Sequence, residues 1–110
     1  MFKIAGVKRV VLDNASHHPQ NKEFSELAKW LSERLGVELK IIEEDYVYAN
    51  EHGEKDDFGF AWLPQLFVEL DDGRVVLVLS KIPFNTATLK PDLDEAKKII
   101  EAKLRDIGVL

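Results

Sequence analysis

The hydrophobic positions in the first forty residues follow two periods, which predict a strand, a helix and a second strand. Residues 10–12 are an uninterrupted apolar run inside the segment 8–14, typical of a strand buried on both faces. Apolar side chains then recur at helical spacing over residues 20–35, and Gly36 follows as a stop. Residues 37–41 alternate between apolar and charged, the period of a strand. Short connections make this unit a parallel crossover with the first strand in a central position.

A hairpin and a terminal helix are predicted in the second half of the chain. Residues 65–70 and 74–81 are rich in strand-forming side chains, and the Asp-Asp-Gly sequence between them suits a tight turn. Asp92 with Glu95 resembles a capping box at a helix start. The helical spacing of apolar residues then continues until Gly108 ends it.

Two segments show no clear period. Residues 46–62 contain two glycines and clustered acids, so we expect at most a short helix near residues 50–57. Residues 83–91 are expected to form a loop. The fold class is therefore α/β, with the order β-α-β, short α, β-β-α and a mixed four-stranded sheet carrying two long helices on one face. Because no repeat or linker divides residues 1–110, we expect one domain.

The second face of that sheet is short of cover. Residues 75–79 are apolar at both odd and even positions, so the side chains on both faces of this strand favour burial. Phe58, Phe60 and Trp62 alternate in the weakly patterned segment and are candidates to lie over this face. The other candidate is a second copy of the chain, so a homodimer is a hypothesis.

The composition is that of an ordinary globular domain. Apolar residues make up 45% and charged residues 32% of the 110 residues. The longest apolar run, residues 75–79, is far shorter than the roughly 20 residues a membrane span needs, so we expect no membrane association. Residues 1–6 lack the apolar stretch and cleavage site of a secretory signal, and a cytoplasmic location is the expectation.

The charge distribution argues against nucleic acid as a partner. The net charge is −5, and seven acids between residues 43 and 57 face a single lysine. Phosphate backbones require a basic patch, and the group of Lys3, Lys8 and Arg9 is small. The acidic stretch is interpreted either as a solvated loop or as a docking surface for a basic partner.

Two passages of the chain resemble the thioredoxin family. Residues 57–68 read DFGFAWLPQLFV and are followed by DGRVV at residues 72–76, similar to the family's passage from a short helix through a cis-proline into the hairpin. The first predicted strand runs into Ser-His-His-Pro at residues 16–19 and then a helix, where the family carries its redox motif. The resemblance extends from about residue 8 to the last helix. It implies a thioredoxin-like fold with a cis peptide bond before Pro64.

The chain departs from the family in its chemistry. It contains no cysteine, and Ser-x-x-Pro stands where the family has Cys-x-x-Cys. A serine hydroxyl forms no disulfide, so thiol-disulfide exchange by the chain's own side chains is excluded. Some thioredoxin-fold relatives, the glutathione transferases, use a hydroxyl near this junction to stabilise a thiolate, but this chain lacks their large helical second domain.

The resemblance also implies a site, because in the family the junction after the first strand faces the proline loop. The candidate residues for binding a ligand or partner are Ser16, His17, His18, Trp62, Leu63 and Pro64.

Each candidate side chain has a structural interpretation beside the functional one. Ser16 suits a helix cap, whereas a nucleophilic serine needs a base and an oxyanion site. His17 and His18 are adjacent and expected to diverge, although imidazoles at a helix start can help to hold an anion. Trp62 suits core packing or a ligand platform. The sequence indicates no metal site and no cofactor.

The expected function is that of a redox-inactive thioredoxin-like binding module with a protein or peptide partner. Its groove would take an extended segment, because backbone groups beside the proline can pair with a strand-like ligand. The alternatives are a small-molecule transferase or hydrolase that uses Ser16 or His17 at a helix N-terminus, and a structural homodimer subunit. Fold class does not choose among them.

Overall fold

The computed structural model describes residues 6–110. Lys3, which belongs to the small basic group, lies outside the described residues. Within them the chain forms three α-helices, a four-stranded sheet and a two-stranded ribbon. In chain order the elements are β1 (Val7–Asn14), α1 (Asn21–Leu35), β2 (Glu38–Glu43), α2 (Tyr46–His52), β3 (Gln65–Leu70), β4 (Val75–Leu79), β5 (Phe84–Asn85), β6 (Lys90–Pro91) and α3 (Leu93–Asp106).

The main sheet is mixed, with the strand order β2-β1-β3-β4. β1 pairs with β2 in parallel and with β3 in antiparallel orientation, and β3 forms an antiparallel hairpin with β4. The α/β class and the central position of β1 are therefore confirmed. At the carboxyl end of β1 this pairing brings together the end of β2, the start of β3 and the end of β4. The pairs that mark this end are Asn14 with Glu43, Asp13 with Gln65, and Leu66 with Leu79.

One face of the sheet carries both long helices. Val10 and Leu12 of β1 belong to the same buried cluster as residues of β3 and β4, because alternate residues of a strand point to the same side. α1 and α3 complete this core with their apolar stripes. The helix residues buried in it are Phe24, Leu27, Ala28, Leu31, Ala96, Ile100 and Leu104.

On the second face α2 packs against the sheet, whereas Phe58 and Phe60, two of the three aromatic residues expected there, do not. The Tyr48 ring lies edge-on to Phe67 of β3, with ring centroids 5.1 Å apart. Its hydroxyl donates to Glu69, which also accepts from Arg9 at 2.7 Å. Thus the short helix predicted near residues 50–57 lies instead at Tyr46–His52. The helix begins earlier than predicted because the Asp45 carboxylate accepts from the Tyr48 backbone N–H and so caps the helix.

Phe58 and Phe60 point into solvent, with exposed fractions of 85% and 67%. Their backbone N–H groups both donate to the Asp56 carboxylate, which bends the chain into a compact turn. The expectation that they cover the second face is therefore wrong. The alternation of aromatic residues suggested cover for the sheet, but the hydrogen bonds of Asp56 determine the backbone path here.

The last third of the chain follows the prediction except in its loop. Residues 83–91 contain the short ribbon of β5 and β6. Asp92 caps α3 as predicted, accepting from the Glu95 N–H at 3.0 Å. Among the helices of residues 6–110, none is long and apolar enough to cross a membrane.

Candidate functional site

An open groove lies at the carboxyl end of β1, between the start of α1 and the end of β4. Three segments that are distant in sequence meet there, and the peptide bond between Leu63 and Pro64 is cis, as expected. We call this depression the proline groove. Its lining residues are His18, Gln20, Phe24, Trp62, Leu63, Pro64, Ser80, Lys81 and Ile82. Four of the six candidate residues are among them.

Trp62 forms one wall of the proline groove. Its indole N–H donates to the Ser80 carbonyl at 3.0 Å, which ties the wall to the end of β4. The Lys81 ammonium group lies 5.0 Å from the centre of the ring, a cation–π contact. The ring is only half-buried, so apolar surface remains available to a ligand.

Gln65 holds the loop before the groove in place, a role that the sequence did not reveal. The side chain is fully buried at the start of β3. Its amide nitrogen donates to the carbonyls of Glu54 and Trp62, and its oxygen accepts from the Glu54 N–H at 2.8 Å. Gly53 is required beside it, because a Cβ there would lie 2.5 Å from the Gln65 oxygen.

Ser16 lies outside the proline groove and does not cap a helix. α1 begins at Asn21, and no side chain caps it. The Ser16 hydroxyl instead lies 2.6 Å from both carboxylate oxygens of Glu43, and its backbone N–H donates to the same group at 2.8 Å. Because Glu43 ends β2, these bonds tie the ends of two neighbouring strands together. The helix-cap interpretation of Ser16 is therefore wrong.

The two histidines diverge, as expected for adjacent residues. His17 is mostly exposed, and its Nδ1 lies 3.8 Å from a carboxylate oxygen of Glu44. His18 turns into the proline groove, with its Nδ1 accepting from the Gln20 N–H at 3.0 Å. Within residues 6–110 neither imidazole is hydrogen-bonded to Ser16, so a serine–histidine dyad is not assembled. Those residues also contain no cluster of three side chains suited to hold a metal ion.

Asp13 is a buried acid at the carboxyl end of β1. Its side chain is fully enclosed, and one oxygen accepts from the Asp45 backbone N–H while the other has no partner among the described residues. Desolvation raises the pKa of Asp13 to about 6, and the nearby charges of Asp45 and Glu43 add to the rise while the hydrogen bond opposes it. No signal in the sequence distinguished this aspartate from a surface one.

A hydrogen-bonded turn that directly precedes Trp62 in the chain carries two exposed aromatic rings. We call residues 55–61 the aromatic loop, which is closed by a bridge between Lys55 and Ala61. The Ala61 N–H also donates to the Asn50 side chain of α2 at 2.9 Å. Phe58 and Phe60 are therefore exposed on a hydrogen-bonded scaffold rather than on a loose loop.

No protein-family model, curated protein or solved structure matches this chain. An apolar wall, the Leu63–Pro64 segment, one imidazole and one ammonium group are suited to binding. Ser80 also lines the groove, and its hydroxyl donates to the Glu54 carboxylate.

Proposed function

We propose that the chain is a redox-inactive thioredoxin-like domain that binds an extended segment of a partner protein in the proline groove. The fold assignment is supported by the strand order β2-β1-β3-β4, by the parallel pairing of β1 with β2 and by the two long helices on one face. The absence of cysteine removes disulfide chemistry but leaves such a groove able to bind.

The observation that carries the binding proposal is the convergence of His18, Trp62 and Ile82 on Leu63 and Pro64. The Leu63 backbone N–H and carbonyl form no hydrogen bond with another residue in the range 6–110. A strand-like ligand can pair with these groups while its side chains contact the Trp62 ring. The affinity for the ligand would then come from main-chain hydrogen bonds, and the selectivity from contacts between its side chains and the proline groove.

The aromatic loop leads directly into Trp62 along the chain, and we include it in the proposed contact surface. Large exposed rings on a rigid scaffold are typical of interaction sites, since they bury apolar area with little loss of side-chain freedom. The same stretch of the chain carries exposed acidic residues at Glu51, Glu54 and Asp57. We therefore propose that the bound segment is basic and carries an apolar side chain that packs in the proline groove. The transferase or hydrolase alternative has no comparable support, because Ser16 and His17 lie outside the groove.

A random-peptide phage library selected on the wild-type protein tests this proposal. We expect enrichment of peptides rich in lysine or arginine, and one synthesised enriched peptide then serves as the probe in fluorescence anisotropy. The His18→Ala/Trp62→Ala variant should bind it at least about tenfold more weakly, since truncating central anchors costs more than about 1.4 kcal/mol. Circular dichroism verifies that the variant is folded.

The matched control is Ser16→Ala/His17→Ala, which changes two neighbouring residues outside the groove and should keep affinity within about twofold. Absence of any enriched peptide would remove the proposed function. Equal binding by the groove variant would place the binding surface elsewhere. Enrichment of acidic rather than basic peptides would contradict the proposed partner chemistry alone.

A further inference from the structure

Lys81 places a full positive charge in the proline groove. Among the residues that line the groove, His18 is titratable and Lys81 is the one lysine, arginine or carboxylate. A bound segment with its own lysine or arginine therefore meets a like charge there, and like charges brought together oppose binding. The groove can accept a basic segment only if this charge is moved or compensated.

The Lys81 ammonium group is held over an aromatic ring rather than by a carboxylate. It lies 5.0 Å from the centre of the Trp62 ring. No acid within residues 6–110 forms an ion pair with it. The ring itself is fixed, because its indole N–H donates to the carbonyl of Ser80, the residue before Lys81. The Trp62 ring therefore presents a face that holds a cation at the groove.

This contact between Lys81 and Trp62 is weak enough to be replaced. Lys81 is an exposed residue, and a cation–π contact in water contributes little stability. The same contact is stronger when the cation and the ring are shielded from water. A lysine stem is flexible, so the ammonium group can move into solvent without a change in the backbone. A cation carried by a bound segment would thus meet the ring under more favourable conditions than Lys81 does.

We propose, building on the function proposed above, that the Trp62 ring is the binding site for one lysine or arginine side chain of the bound segment. Lys81 occupies this site in the free protein and is displaced when the segment binds. The exchange keeps a cation on the ring and moves the Lys81 charge away from the incoming one. A neutral segment would have to displace Lys81 without replacing its contact, so the exchange also selects against neutral ligands.

A similar pair elsewhere in the protein supplies a matched control. The Lys97 ammonium group of α3 lies 5.3 Å from the centre of the Trp30 ring of α1. Neither Lys97 nor Trp30 lines the proline groove. Lys97→Ala and Lys81→Ala therefore remove the same charge and the same kind of contact, but only Lys81→Ala vacates a ring in the groove.

Removing Lys81 should strengthen the binding of a basic segment. The probe is the synthesised lysine- or arginine-rich peptide selected on the wild-type protein, measured by fluorescence anisotropy. We expect Lys81→Ala to tighten binding about three- to fivefold and Lys97→Ala to leave it within about 1.5-fold. In a Trp62→Leu background most of the gain from Lys81→Ala should disappear. A gain of equal size there would mean that Lys81 acts by charge repulsion alone, and would overturn the proposal.

Proton NMR locates the two cations directly, because protons held over an aromatic ring resonate upfield. In the free protein the ε-methylene protons of Lys81 should be shifted upfield. Adding the peptide should remove that shift, and the methylene protons beside the charge of one peptide lysine or arginine should move upfield instead. A Lys81 signal that stays upfield in the complex would contradict displacement. So would a complex in which every basic side chain of the peptide keeps its free chemical shifts.

These measurements separate the exchange at Trp62 from the binding function on which it depends. A peptide that is weakened by His18→Ala/Trp62→Ala but not tightened by Lys81→Ala would overturn the exchange and leave the binding function intact. If no basic peptide binds the wild-type protein, both proposals fail.

Discussion

Replacing Gln65 with glutamate should lower the free energy of unfolding by about 3–4 kcal/mol near neutral pH, because a buried charge would then face two carbonyl oxygens. In the native protein the Gln65 amide nitrogen donates to the carbonyls of Glu54 and Trp62. A carboxylate has the same shape but no N–H to offer. The side chain is fully buried, so water cannot replace the lost donors.

The loss of stability in Gln65→Glu should increase as the pH rises. The folded variant would favour the protonated form of the introduced carboxyl group and so raise its pKa above the value in the unfolded chain. The destabilisation is then smallest below the unfolded pKa, about 4.3, and grows as the pH rises through the window above it. Urea denaturation of variant and wild type at about pH 4 and about pH 8 measures the difference.

Gln20→Glu is the matched control for this variant, since it makes the same chemical change at a half-exposed position before α1. A new acid at a helix N-terminus is neutral or slightly favourable, so the control should stay within about 0.5 kcal/mol of wild type. If Gln65→Glu were equally harmless, the hydrogen bonds of Gln65 would not be what holds the loop before the proline groove.

Replacing Asp13 with asparagine should raise the free energy of unfolding at about pH 7.5 by up to about 3 kcal/mol. Burial raises the pKa of Asp13 from 3.8 to about 6, so ionisation at neutral pH costs stability. Asparagine keeps an oxygen to accept from the Asp45 N–H and carries no charge. Its amide group also adds donors close to Glu43 and Asp45, where Asp13 has an oxygen without a partner among the described residues.

The sign of the pH dependence separates this effect from general charge reduction. Because the pKa of Asp13 is higher in the folded than in the unfolded state, its unfavourable contribution is absent below about pH 4 and complete above about pH 6. The advantage of Asp13→Asn should therefore vanish on acidification. Thermal unfolding of both proteins across this window, followed by circular dichroism, measures it.

Asp57→Asn removes the same charge from an exposed position and is the matched control. We expect it to change stability by less than about 0.5 kcal/mol at any pH, as is usual for surface substitutions. A stability gain shared equally by the two variants would mean that the acidic end of the protein responds to total charge. That result would contradict the explanation that burial of the Asp13 charge is what lowers the stability of the protein.

Several elements could be predicted from the sequence because their signals are local. The helical stripe of α1 and the Asp92 cap of α3 depend on residues within a few positions of one another, and both are observed where expected. The Asp-Gly turn likewise predicted the hairpin of β3 and β4. The proline groove was anticipated in part, since His18, Trp62, Leu63 and Pro64 line it while Ser16 and His17 do not.

The remaining features depend on partners that are far apart along the chain. Ser16 is held by Glu43, which is 27 residues away, so its role as a strand tie had no local signature. The sequence pattern indicates only that Gln65 starts a strand, yet its bonds reach back 11 residues to Glu54. The outward direction of Phe58 follows from the carboxylate of Asp56 rather than from hydrophobic alternation.

By itself the sequence determined the order of the three helices and of β1 to β4, the uncharged character of β4 and the absence of thiol chemistry. Periodicity shows which side of a helix or strand is apolar. Composition shows which reactions are excluded because the chain lacks the side chains that they require. Tertiary structure alone decided that Asp13 and Gln65 are buried and which candidate residues meet in the groove. The physical reason is that a polar side chain takes its role from the donors, acceptors and charges that folding places around it.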